Sequence, residues 1–226
     1  SYNKTDLLDM SKVKVIWWRR PQPFSLHSDI TRQSHRNFAL SECHEAISGL
    51  WHSINCSWIN NPAKDDIAHR KVYQLRIAQE IGLKIPETCI TTNPLDASEF
   101  LSRLGTKKAI CKAFSATWEE WRETRLVTEK ELSLIMNVKY APVIFQEYIE
   151  AKYDIRITVI GDKVFPGAVY SQETKYKVDM RMDIGKAKIE AVELPKSVEK
   201  KLLSFMKELG LIYGAIDMRQ IGRAHV

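Results

Sequence analysis

Several familiar signatures are missing from this sequence. No apolar run approaches the ~20 residues of a membrane-spanning helix. The opening, SYNKTDLLDM, has no apolar signal-peptide core. Neither usual phosphate loop is present: there is no GxGxxG, and no GxxxxGK followed by Ser or Thr. No internal repeat or low-complexity tract occurs, so nothing signals a repeat architecture. No Ser-His-Asp or Cys-His pattern stands out, so nothing signals a side-chain nucleophile. The four cysteines, Cys43, Cys56, Cys89 and Cys111, form no Cys-x-x-Cys pair. Cys43-His44 and His52-x3-Cys56 admit a zinc reading. Structural zinc sites show tighter paired spacing, and small buried thiols are common in cores, so core packing is the stronger reading. Unpaired thiols suit a reducing, cytoplasmic setting.

The chain has 226 residues, 44% hydrophobic and 27% charged, with a net charge of +6. That length supports a sizeable core in one or two domains. The positive balance favours anionic partners such as nucleotide phosphates or nucleic acid. VKVIWW reads as a strand and RRPQPF as the loop that ends it. A helical region runs through ALSECHEAISGLWHSI, and WINNP breaks it. AKDDIAHRKVYQLRIAQEIG reads as one amphipathic helix, with Ile67, Val72, Leu75, Ala78 and Ile81 on one face. LKIPETCITT is a short strand. In NPLDASEFLSRLG, Asn93 can cap, Pro94 suits the first helical position and Gly105 stops the helix. KKAICKAF is a strand and FSATWEEWRETRLV a loop. Thr128 and Glu131 form a capping box that opens TEKELSLIMN. APVIFQEYI is a strand, and Gly161-Asp162 turns a hairpin between Ile155–Ile160 and Lys163–Phe165. KIEAVEL is a strand. LPKSVEKKLLSFMKELG is a helix with Val198, Leu202, Phe205, Met206 and Leu209 inward, and YGAIDM is a last strand. Strands and helices mix with antiparallel hairpins, which points to an α+β (mixed α/β) fold and not to a continuous βαβ series.

Some residues fit this pattern poorly. Lys112 sits inside the apolar run AICKAF, where an ammonium needs an anion or a route to water. Lys71 interrupts the inner side of its helix. Glu147, Glu150, Asp154 and Arg156 crowd the approach to the hairpin. Taken alone, the lysines read as snorkelling and the acids with Arg156 as a surface ion-pair ladder of small energetic weight.

The order of KVYQLRIAQEIGLKIPETCITTN, AICKAF, APVIFQEYIEAKYDIRITVIGDKVF and YGAIDM resembles the ATP-grasp ligases. Among these it resembles the RimK-type ligases and, through IWWRRP and WINNP, the MvdC/MvdD-type enzymes that cross-link microviridin (graspetide) precursor peptides. The resemblance covers nearly all of Val13–Arg219 and implies two α+β subdomains around a nucleotide cleft. It divides the chain into a remnant of a preceding domain (residues 1–60), a central or lid subdomain (61–148) and a C-terminal subdomain (149–220). It also implies the cofactors ATP and Mg²⁺. Backbone groups of Glu147, Tyr148 and Ile149 would meet the adenine edge, and Asp154 the ribose. Lys71 and Lys112 would face the phosphates. Arg156 and Arg181 would act at the reacting phosphoryl group, and Asp217 would hold magnesium. The implied reaction is ATP-dependent ligation of a carboxylate to an amine or hydroxyl through an acyl phosphate. Its substrate is a ribosomally made precursor peptide, or a protein terminus as in RimK-type relatives.

The family's second metal pair, a Glu and an Asn beyond YGAIDM, is not found, and FSATWEEWRETR lacks the glycines of many relatives' phosphate covers. IGRAHV resembles the translation of a sequencing adapter, so Ile221–Val226 is expected to be non-native, with a native tail as the alternative. The expectation is a chain cut at both ends and inactive by itself. A non-catalytic nucleotide- or peptide-binding module is the second reading. Nucleic-acid binding through Trp17, Trp18, Trp118 and Trp121 ranks third. No membrane partner is expected, and a homodimer is left open.

Overall fold

The computed structural model describes residues 8–105, 108–115 and 123–221. Trp118 and Trp121, most of the FSATWEEWRETR loop and residues 222–226 lie outside them.

Three sheets organise the described chain. Strand β1 (Val15–Trp17) pairs in parallel with β2 (Ser57–Ile59), across helix α1 (Gln33–Ser53). WINNP, read above as a breaker, therefore begins in a strand. Its Asn61 accepts from the Ala63 and Lys64 amides, and Pro62 opens α2 (Pro62–Ala68). The amphipathic run expected as a single helix divides here. His69 ends α2, Arg70 is extended at φ −72° and ψ 106°, and α3 (Lys71–Glu80) restarts. No Pro or Gly marks this break, which is why the apolar period ran straight through it.

The second sheet has strand order β3-β6-β4-β5 and is antiparallel throughout. Strand β3 (Thr88–Thr91) leads into α4 (Pro94–Leu104), which is capped by Asn93 and stopped by Gly105 at φ +86°. Strand β4 (Ala109–Lys112) follows, then β5 (Arg125–Leu126), a strand inside a stretch that sequence read as loop. The capping box of Thr128 and Glu131 opens α5 (Glu129–Ser133), and β6 (Val143–Glu147) runs up the middle of the sheet. Ala97, Phe100 and Leu101 of α4 pack on Ala109, Cys111 and Phe145.

The third sheet has order β10-β7-β8-β9, also antiparallel. Strands β7 (Tyr153–Ile160) and β8 (Lys163–Val169) turn through Gly161 at φ +59°. Strand β9 (Ile189–Ala191), helix α6 (Lys196–Leu209) and β10 (Tyr213–Gln220) complete it. Alternation gives β7 two faces. Ile155, Ile157 and Val159 are buried against Leu202 and Met206 of α6, while Asp154, Arg156 and Thr158 point the other way. Each buried aliphatic side chain contributes on the order of 1.5–3 kcal/mol, so this face fixes the register of the other. YGAIDM has its partner earlier in the chain, pairing with β7 from Tyr213↔Ile160 to Gln220↔Tyr153.

Helices α2 and α3 pack on α6, with Ala68, Ile77 and Ala78 against Phe205 and Leu209. Residues 62–85 thus share a core with the third sheet, although the sequence grouped them with the second. Asn60 ties the first sheet to the third. Its Oδ1 accepts from the Ile212 and Tyr213 amides at 2.9 Å, and its Nδ2 donates to the Tyr213 carbonyl at 2.7 Å. Trp18 packs edge-on against Trp51 and Trp58, and it is a wall of this first unit instead of an open stacking platform. The four cysteines are free. Among the described residues no helix is long and apolar enough to cross a membrane.

Candidate functional site

The segment 148–152 joins β6 of the second sheet to β7 of the third, and charged side chains from both gather beside it. Lys112 ends β4 and donates to Gln146 Oε1 at 2.8 Å, and Gln146 Nε2 donates in turn to Thr88 Oγ1 at 2.8 Å. The ammonium is thus positioned by a neutral amide and, among the described residues, has no carboxylate within salt-bridge reach. Burial, then the positive charges of Lys71 and Arg181, bring the Lys112 pKa down to about 8, with Asp179 pulling it back up. Lys71, at the start of α3, is lowered by burial and by Arg181, while Asp217 raises it. These mutual effects place Lys71, Lys112, Arg181, Asp179 and Asp217 in one electrostatic neighbourhood, though they come from two sheets, a helix and a loop.

The polar face of the third sheet carries a cross-strand ladder. Arg156 faces Asp217 in register and donates to both carboxylate oxygens, at 2.6 and 2.8 Å. Asp154 faces Arg219, with Nε 3.0 Å from Oδ1. Asp217 keeps 44% of its side-chain surface. Partial burial pushes its carboxyl above the ordinary range, and Arg156 and Arg181 act against that rise. Asp154 is 4% exposed and also accepts from the Ser171 hydroxyl. This corrects the expectation of a carboxylate open to a ribose: the Asp154 oxygens face Arg219 and Ser171 inside the protein. The ion-pair ladder weighed for this stretch exists, with partners on β10 that sequence did not supply.

The loop after β8 brings Arg181. Asp179 caps a short 3-10 turn (Met180–Met182) and accepts from Arg181 Nε at 2.8 Å and Nη2 at 2.6 Å. Burial raises the Asp179 carboxyl, but the hydrogen bonds and charge of Arg181 outweigh it and leave the group below the usual range.

The adenine-edge expectation is changed in detail. The Glu147 amide donates to Glu87 O and the Tyr148 amide to Lys108 O, each at 2.8 Å. The Ile149 carbonyl accepts from Arg219 Nη1 at 2.6 Å. Of these backbone groups, the Ile149 amide has no hydrogen bond among the described residues. Gln146, Asp179 and Arg219 were missed by the sequence reading. Two of them carried a signal: Asp179 stands two residues before Arg181, and Arg219 two after Asp217, on the same face of a strand.

The fold has counterparts among solved structures. Macrocyclase MdnC bound with precursor peptide MdnA, from Microcystis aeruginosa MRC, shares 30% identity at a TM-score of 0.85, over 96% of this chain and 69% of that one. The chain belongs to the ATP-grasp peptide ligases. A RiPP-associated ATP-grasp ligase of Chryseobacterium gregarium, in complex with ADP and a leader and core peptide, also shares 30% identity (TM-score 0.82; 92% of this chain, 65% of that one). The D-alanine–D-alanine ligase of Bacillus anthracis, complexed with ATP, shares the fold alone, at 18% identity (TM-score 0.57; 78% of this chain, 59% of that one). The chain spans about two thirds of the length of the peptide ligases it matches. No protein-family model and no curated protein matches the sequence. ATP and Mg²⁺ are the cofactors of ATP-grasp ligases, and solved neighbours carry ATP, or ADP with Mg.

The residues present fit such a ligand. Four cations, Lys71, Lys112, Arg156 and Arg181, lie near one another, and among the described residues Lys112 has no ion-pair partner, Asp179 acting on it only from a distance. Among the described residues no group of three or more His, Cys, Asp or Glu could cage a metal, so zinc at Cys43, His44, His52 and Cys56 has no support. Mg²⁺ needs less, because it takes one or two carboxylates and completes its shell with phosphate oxygens and water. Asp217 and Asp179 both lie beside the cations, and of the two Asp217 has the exposed side chain, 44% against 6%.

Proposed function

We propose that this protein is an ATP-dependent ligase of the MvdC/MvdD type, joining side chains of a ribosomally made precursor peptide as esters or amides. The observation that carries the reading is Lys112: a half-buried ammonium, without an ion-pair partner among the described residues, beside Lys71 and Arg181. A triphosphate is the counter-charge such a cluster lacks. When bound, ATP supplies the phosphoryl group that activates a substrate carboxylate as its acyl phosphate, before an amine or hydroxyl displaces phosphate.

The chain's own residues do the positioning. The Ile149 amide offers a donor to the purine edge, next to the Tyr148 ring. Lys112 and Lys71 neutralise phosphate oxygens, which stabilises developing charge more in a half-buried site than in water. Arg156 is held by Asp217 and Arg181 by Asp179, so both guanidinium groups are aimed before any ligand arrives. Asp217 would hold Mg²⁺ jointly with phosphate oxygens. The four free thiols accord with a cytoplasmic enzyme.

The test is calorimetric titration of Mg-ATP into this protein and into Lys112→Ala. Saturable binding that Lys112→Ala weakens at least tenfold is expected. Binding equal in both proteins would remove the reading. A short precursor rich in Thr, Ser, Asp and Glu, encoded beside the gene, would supply the peptide. Loss of water on incubation with Mg-ATP, read by mass spectrometry, would report ligation.

A RimK-type reading is the second, since those relatives share the nucleotide half. Transfer of free glutamate to a protein C-terminus would favour it.

A further inference from the structure

Arg219 makes more contacts than any role assigned so far requires. It sits on β10 with a side chain 20% exposed, and its guanidinium reaches three separate segments. Nε meets Asp154 at 3.0 Å. Nη1 donates to the Ile149 carbonyl at 2.6 Å, on the link between the two larger sheets. Nη2 donates to the carbonyls of Lys177 and Val178 at 3.2 and 3.1 Å, in the loop that carries Asp179 and Arg181. The Tyr148 ring lies under the guanidinium, 5.2 Å from Cζ to the ring centroid. Asp154 receives the Ser171 hydroxyl as well, so the same loop is tied at its start.

This geometry suits an arginine and no other side chain. A planar guanidinium points five donors in fixed directions, and here it makes three hydrogen bonds to backbone carbonyls of two segments and an ion pair with a third. A lysine in its place has the charge but cannot span those directions at once. The loop from Ser171 to Asp183 is otherwise held by short-range hydrogen bonds of its own, by the buried Met180 and by the Thr124 amide on Asp179. It contains two short 3-10 turns (Ser171–Glu173 and Met180–Met182) and no strand.

We propose that Arg219 is a positioning residue that joins the inter-sheet link to the Arg181 loop, so that Arg181 is aimed at the phosphates only while Arg219 holds both. The idea rests on the nucleotide reading given above for the direction in which Arg181 is aimed. The strut itself is a property of the chain without ligand.

Two measurements test it. The first is hydrogen exchange without nucleotide, in wild type and Arg219→Lys. Amides of residues 174–183 should exchange about tenfold faster in the variant, while those of α6 and β8 keep their protection. Ser171→Ala, which cuts the other tie to Asp154 and a weak contact from Gln172 but leaves the Gln172 bond to the Lys177 carbonyl, should leave residues 177–183 nearly unchanged. Should Arg219→Lys fail to fold, Tyr148→Leu removes the ring beneath the guanidinium and should raise exchange in the same peptides by a smaller factor. Unchanged exchange there overturns the strut. The second is a double-mutant cycle on Mg-ATP affinity. Arg219→Lys should weaken binding about tenfold alone, and by less than threefold in an Arg181→Lys background, because it acts through Arg181. Two fully additive losses would mean that Arg219 stabilises the fold without aiming Arg181. If wild type binds no nucleotide, the ligase reading falls, while the exchange measurement still decides whether the strut exists.

Discussion

The two larger sheets treat charge in opposite ways. On the polar face of β7 and β10 every acid has its base within the chain: Arg156 with Asp217, Asp154 with Arg219. That half is electrostatically complete. In the β3–β6 sheet, Lys112 meets the Gln146 amide and, among the described residues, no carboxylate; Lys71, on α3, stands near it with no ion pair among them. A half that pairs its own charges gains rigidity, and a half that leaves an ammonium unpaired carries an energetic cost that an anion can remove. The site lies where these two regimes meet, and breaking each should give a different signature.

The largest effect is expected in the paired half. Asp154→Ala leaves the largely buried Arg219 guanidinium without its carboxylate. Removing one partner of such a pair should cost about 3–5 kcal/mol of stability, read from urea denaturation. Lys112→Met should do the reverse. It removes a half-buried charge with no ion-pair partner among the described residues, so the protein without ligand should be no less stable than wild type, while Mg-ATP affinity drops at least tenfold. If Lys112→Met were destabilising by as much as Asp154→Ala, the contrast between the halves would fail.

Gly214→Ala probes the apolar side of β10. An added Cβ would come within 2.8 Å of Met206 Sδ and Cε. Met206 is 3% exposed, so the thioether has little room to withdraw. A loss of about 1–3 kcal/mol is expected, with nucleotide affinity falling only as far as β10 shifts Asp217.

Much of this was open to sequence reading, for identifiable reasons. A lysine inside AICKAF breaks a strong local rule, and the rule was broken at the site. The caps of α4 and α5 were legible because Asn93-Pro94 and Thr128 with Glu131 act within four residues. The α6 face was legible because its period is unambiguous. What escaped depends on distance along the chain. Asp154 looked like a ligand for ribose because its partner, Arg219, is 65 positions away and becomes visible only through the β7–β10 register. The break at His69–Arg70 escaped because packing of α2 and α3 on α6 imposes it, with no turn residue to announce it. Backbone groups at 147–149 were expected to be open because the partners of the Glu147 and Tyr148 amides, Glu87 and Lys108, stand just before β3 and β4, and that of the Ile149 carbonyl, Arg219, lies on β10.

The smallest effect, and the sharpest in sign, is that of pH on the unpaired half. The Lys112 pKa is about 8 in the folded chain, below its ordinary 10.5. Between these values the unfolded chain holds a proton that the folded chain has released. Stability therefore rises with pH across that window, and below pH 8 the cost of the buried ammonium is present in full. Phosphate binding needs the protonated form, so Mg-ATP affinity should fall as pH climbs past 8. Stability and affinity should thus move in opposite directions between pH 8 and 10. The relevant quantity is the difference from Lys112→Met, since other lysines and tyrosines titrate at the upper end. In that variant the affinity slope should flatten and the stability difference should narrow with rising pH. Parallel curves for the two proteins would mean that Lys112 is already neutralised by a group within the chain, and the half taken to be waiting for an anion would be as complete as its neighbour.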